Sequence, residues 1–112
     1  MNRFLASLPE PDITAFCERW RICELSLFGS VLRDDFGPES DVDILVAFKD
    51  GADWGLLDHV KMQHELQEIL HLEVDLVTRP AIEQSANWIR RREILETARV
   101  VFPAQEVAHE TR

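Results

Sequence analysis

The sequence predicts an α/β (α+β) fold, a small mixed β-sheet flanked by helices. Three observations predict it. Short apolar, β-branched segments alternate along the chain with longer segments of helical pattern. The stretch 41–48 (Asp-Val-Asp-Ile-Leu-Val-Ala-Phe) is strand-like by composition and is bounded by turn residues. A chain of 112 residues that is 46% hydrophobic can bury one core without disulfides or a metal staple. It reads as one domain, with a core of about 12–102 and a polar tail at 103–112.

Each element has a local reason. Pro9 and Pro11 precede a first helix, with Asp12 as its expected N-cap and an end near Trp20. Ile22–Phe28 reads as a strand ended by Gly29, and 30–33 as one short helical turn. Residues 34–40 carry Gly37, Pro38 and Ser40 and read as a loop. After the strand at 41–48 and a turn at 49–52, residues 54–70 read as a helix whose apolar phase breaks. Leu56, Leu57 and Val60 lie on one side, and Met62, Leu66, Ile69 and Leu70 on nearly the other. Burial on two sides explains this, and so does a protein partner covering one side. Residues 72–78 form a further strand, 81–98 a last helix, and Arg99–Phe102 a short final strand. The second and third strands are joined by a helical crossover, which allows them to be parallel neighbours or to be separated by another strand.

Charge and composition exclude several function classes. Twelve Lys and Arg stand against 21 Asp and Glu, a net charge of −9. That argues against a broad basic surface for nucleic acid and against attraction to anionic membrane. The longest apolar runs, such as 44–48, fall far short of the roughly 18 residues of a membrane span. The N-terminal residues 1–5 lack the apolar stretch of a secretory signal. Cys17 and Cys23 each follow an apolar residue and form no Cys-x-x-Cys pair. They are expected to be reduced, buried thiols of a cytoplasmic protein. The four histidines form no zinc pattern.

The chemistry concentrates in Gly29-Ser30, then ten residues, then Asp41-Val42-Asp43. Side chains alternate along a strand, so Asp41 and Asp43 share one face while Val42, Ile44 and Val46 point into a core. Neighbouring carboxylates repel unless a cation lies between them. Mg²⁺ fits, because it takes carboxylate oxygens, substrate phosphates and water. Asp75 is out of place in the apolar run 72–77 and shares its face with Glu73 and Val77. If that strand lies beside the first, three carboxylates meet. Three acids around two metals suit phosphoryl or nucleotidyl transfer. Gly29 lets backbone approach phosphate, Ser30 opens a turn with free N–H groups and adds a hydroxyl, and Arg33 is placed to meet a phosphate or a nearby acid. Arg90-Arg91-Arg92 reads as a solvated helix face with local ion pairs, Glu73 as solvent-facing, and Trp20, Trp54 and Trp88 as core or rim packing.

The stretches 27–36 and 40–46 resemble the DNA polymerase β-like nucleotidyltransferase superfamily. More narrowly, they resemble the minimal nucleotidyltransferases (MNT), the antitoxins of HEPN–MNT toxin–antitoxin pairs. Residues 66–70, 72–78 and 89–95 fit the same family, so the resemblance spans roughly 12–102. It implies the minimal polymerase-β-like fold, with Gly29 and Ser30 on the nucleotide triphosphate and Asp41 and Asp43 on Mg²⁺. Asp75 would be the third carboxylate, helping to deprotonate the acceptor. The implied reaction moves AMP from ATP to a tyrosine of a HEPN ribonuclease toxin, in a hetero-oligomer with that toxin. Two alternatives stand beside it: neutralisation by occluding the toxin, and service as the catalytic subunit of a small-molecule nucleotidyltransferase.

Overall fold

A computed structural model describes residues 7–32 and 41–103. The elements run α1 (Glu10–Arg19), β1 (Ile22–Phe28), a 3₁₀ turn (Gly29–Leu32), β2 (Val42–Phe48), α2 (Leu56–Leu70), β3 (Val74–Thr78), α3 (Arg79–Glu83), α4 (Trp88–Thr97) and β4 (Arg99–Phe102). The four strands form one mixed sheet in the order β3-β2-β1-β4. β1 is antiparallel to both β2 and β4. β2 and β3 are parallel neighbours, which resolves the choice the sequence left open. The loop expected at 34–40 lies outside the described residues, as do Arg33 and most of the expected tail.

The main core lies between one sheet face and the first two helices. Ile13, Phe16 and Cys17 of α1, and Met62 and Leu66 of α2, pack on Leu25, Leu27, Val42, Ile44, Val46, Val74 and Leu76. Trp20 and Trp54 seal its rim edge to face, with ring centroids 5.1 Å apart. Their indole N–H groups donate to Glu65 Oε1 (2.7 Å) and to the Trp20 carbonyl (2.9 Å). Arg19 pairs with the same Glu65, tying α1 to α2. The other sheet face carries a smaller cluster in which Ile82 of α3 and Ile94 of α4 cover Phe28 and Leu45. The site described below sits on this second face.

Helix α2 explains the broken apolar phase. Met62 and Leu66 are buried, whereas Leu56 is 79% and Leu57 77% exposed, and Val60 is exposed as well. Only one of its two apolar sides therefore meets the sheet.

Four expectations need correction. Asp12 does not cap α1, because Pro9 is the N-cap and Asp12 lies in the first turn. Pro11 is tolerated there because first-turn N–H groups have no helical partner, and Glu10 and Asp12 suit the positive helix end. The helix expected at 81–98 is two helices. Thr78 Oγ1 accepts the Ala81 N–H (3.3 Å) to start α3, and Asn87 Oδ1 accepts the Arg90 N–H (3.1 Å) to start α4. Between them Ser85 Oγ accepts the Asn87 N–H (3.2 Å), so local side-chain bonds replace helical ones. Cys23 is exposed, because the β1–β2 register shifts between Ile22 and Glu24 and leaves it outside the ladder. Trp88, finally, is 58% exposed in the first turn of α4 and is no packing residue.

Candidate functional site

The site grows from the parallel pairing of β2 and β3. In that register Asp43 lies directly beside Asp75, flanked by the pairs Val42 with Val74 and Ile44 with Leu76. The flanking residues are buried on the core face. Alternation therefore puts both carboxylates on the opposite face. Asp43 is half-buried and Asp75 exposed. Strands in a sheet stand about 4.8 Å apart, so two like charges in register repel unless a compensating charge is near.

The turn after β1 closes on Asp43. Phe28, the last residue of β1, is paired with Asp43, which carries the next residue to the carboxylate. That residue is Gly29, with a φ of 76°. Only glycine adopts this conformation without steric cost. A Cβ here would overlap Asp43 Oδ2 and stand 3.2 Å from its Cγ. The Gly29 backbone thus rests against the Asp43 carboxylate. Ser30 Oγ donates to the Asp41 carbonyl at 3.4 Å, tethering the turn to the start of β2. Asp41 itself is exposed and immediately precedes β2.

The structure thus brings together Gly29 with Asp43, Ser30 with Asp41, and Asp43 with Asp75. Arg33 is outside the described residues. Among the described residues no three His, Cys, Asp or Glu side chains form a ready-made metal cage. Mg²⁺ does not require one, since it is usually held by one or two carboxylates with phosphate and water supplying the rest. The Asp43–Asp75 pair fits that requirement. Glu73 is exposed, as expected. The arginine run of α4 is a solvated face with local partners: Arg91 donates to the Ser85 carbonyl (2.9 Å) and Arg92 pairs with Glu96 (3.0 Å). Sequence reasoning missed the side chains that line the outer edge of β3, namely His59, Gln63 and Gln67. Their spacing of four along a helix was the available signal.

The sequence matches the family described as nucleotidyltransferase domain over residues 13–101. The protein adenylyltransferase MntA of Thermococcus cleftensis is 33% identical over 78 residues, 70% of this chain and 77% of that one. A Methanocaldococcus jannaschii protein named for the same activity is 47% identical over 53 residues, and the match spans 47% of this chain and 55% of that relative. Among solved structures, a minimal nucleotidyltransferase superposes with a TM-score of 0.65 at 30% identity, covering 88% of this chain and 94% of that one. A toxin-antitoxin crystal structure with AMP-PNP has a TM-score of 0.66 at 20% identity, covering 88% of this chain and 76% of the other, and at that identity speaks for the fold. No described helix is long and apolar enough to cross a membrane.

Proposed function

The chain belongs to the nucleotidyltransferase-domain family, and from that premise we propose that it is an antitoxin that transfers AMP from ATP to a tyrosine hydroxyl of a cognate HEPN ribonuclease toxin. The observation that carries this reading is the seating of Gly29 against Asp43, with Asp75 in register alongside. A phosphate chain needs backbone without a Cβ and a free-ended turn, which Gly29 and Ser30 supply. Asp41, Asp43 and Asp75 would hold Mg²⁺. When bound, the ion neutralises phosphate charge and lowers the pKa of the attacking hydroxyl. The acceptor oxygen forms a bond to the α-phosphorus, the bond to pyrophosphate breaks, and pyrophosphate leaves with its electron pair. Asp75, exposed at the rim, takes the hydroxyl proton. A tyrosine hydroxyl has a pKa of about 10, so this assistance is needed near neutrality. AMP on the toxin adds bulk and negative charge, which repel RNA.

Names and structures of relatives support this reading: the Thermococcus cleftensis relative is called a protein adenylyltransferase, and the AMP-PNP structure is a toxin-antitoxin. The test is transfer of label from α-labelled ATP to a co-expressed HEPN partner. Label is expected with the wild type and lost in Asp41→Asn/Asp43→Asn. A partner that never acquires label overturns the reading.

A second reading, neutralisation by occlusion, is favoured by the exposed Leu56, Leu57 and Val60. It predicts that the doubly substituted protein still rescues growth at equal abundance, which catalysis alone does not allow.

A further inference from the structure

β3 is an edge strand of the sheet. The Glu73 carbonyl, just before it, accepts the Val42 N–H at 2.8 Å and so faces β2. Backbone direction alternates along a strand, so the polar groups of Val74 and Leu76 face away from β2. An edge of this kind ordinarily presents unpaired donors and acceptors. Here helix α2 meets them. The Val74 N–H donates to Gln67 Oε1 and the Leu76 N–H donates to Gln63 Oε1, both at 3.2 Å. The Leu76 carbonyl lies 3.0 Å from His59 Nε2. A carbonyl only accepts, so that ring nitrogen carries the proton. His59, Gln63 and Gln67 are spaced by four and form one stripe along α2.

The two residues these side chains grip, Val74 and Leu76, flank Asp75. We propose that His59, Gln63 and Gln67 are positioning residues: a side-chain ladder on α2 that completes the outer edge of β3 and holds Asp75 in register beside Asp43. The inference rests on the reading of Asp75 as part of the site. Its physical basis is the period of two along a strand. A slip of one residue turns Asp75 toward the core and Leu76 toward the site. β2 alone holds one side of β3, and the ladder supplies the other.

The test compares Gln63→Met/Gln67→Met with Gln63→Glu/Gln67→Glu in the full chain. Met, Glu and Gln have similar helix propensity, so α2 is preserved in each. Met removes the acceptor oxygen, whereas Glu keeps it. Amide hydrogen exchange of Val74 and Leu76 is expected to quicken at least about ten-fold in the Met variant and to stay near wild type in the Glu variant. The kcat for AMP transfer is expected to fall about 10- to 100-fold in the Met variant, with KM for ATP little changed and the Glu variant restored. Unchanged exchange in the Met variant overturns the ladder. Faster exchange with unaltered kcat overturns the positioning role. Should the wild type transfer no AMP to its partner, the reading of the site fails, while the exchange rates still decide the ladder.

Discussion

The two faces of β2 are built from alternate residues of one backbone, and they do different things. Val42, Ile44 and Val46 are buried beneath α1 and α2 and form the centre of the core. Asp43, between them in sequence, emerges on the other face with Gly29 against it and Asp75 beside it. Apolar burial contributes roughly 25 cal/mol per Å², so the first face supplies folding energy. The second adds a smaller apolar cluster, with Leu45 under Ile82 and Ile94, and carries the Asp43 carboxylate beside it. A strand held by apolar packing on both faces is thus what fixes the Asp43 carboxylate in place. Substitutions of Asp43 and of its core-facing neighbours should separate cleanly into losses of activity and losses of stability.

The largest effect expected is from Asp43→Asn. AMP transfer should fall about 10²- to 10⁴-fold, while the thermal midpoint should move far less than for a core substitution. A kinetic assay paired with thermal melting checks both halves. One residue along, Ile44→Ala should cost about 2–5 kcal/mol of stability by opening a cavity. Denaturant unfolding measures that loss, and kcat per folded molecule should be unchanged. If Ile44→Ala instead removed activity without destabilising, the division between faces would be broken.

Gly29→Ala sharpens the boundary, because it acts on both faces' terms. The positive φ costs about 1–2 kcal/mol for a residue with a Cβ. The added methyl also displaces the Asp43 carboxylate, so transfer should fall further than stability alone explains. Unfolding curves and kcat measured together distinguish the two contributions.

Smaller effects test the dry side. Burial pushes the Cys17 thiol up from 9.0 to about 12, and the Glu18 charge acts in the same direction. The folded state then holds this proton more tightly than the unfolded chain. Its contribution to stability is complete below pH 9.0 and is lost as pH rises toward about 12. Wild type should therefore lose stability relative to Cys17→Ala over that window in pH-resolved denaturation. Thiol labelling at about pH 8 should modify the exposed Cys23 and spare Cys17. The smallest effect on stability is expected from Leu56→Ser/Leu57→Ser, within about 0.5 kcal/mol, since both side chains are solvated. The same variant should weaken the toxin complex if occlusion contributes, which co-purification yield would show.

Much of the fold was legible because strand chemistry is local. Ile22–Phe28 and Arg99–Phe102 fall where the sequence places them, and the strands expected at 41–48 and 72–78 are shortened only at their first residues. The misplaced features depend on single hydrogen bonds or on register. Asn87 and Ser85 divide a segment whose composition continues helically, and a shift beside Ile22 turns Cys23 outward. At the site, the spacing of Gly29, Ser30, Asp41 and Asp43 was visible as a pattern. The contact of Gly29 with Asp43 and the register of Asp75 were not, since both depend on which strands become neighbours. The His59–Gln63–Gln67 stripe does not stand out in the sequence, because polar residues on a helix ordinarily face water.

The central claim is that the aspartates of two parallel strands form one cation-dependent nucleotide site beneath the Gly29 turn. Calorimetric titration of ATP into the protein, with and without Mg²⁺, tests it most directly. Saturable uptake that requires Mg²⁺ and disappears in a folded Asp43→Asn/Asp75→Asn variant is the predicted result. Uptake that is indifferent to Mg²⁺, or that survives in the folded double variant, would contradict it.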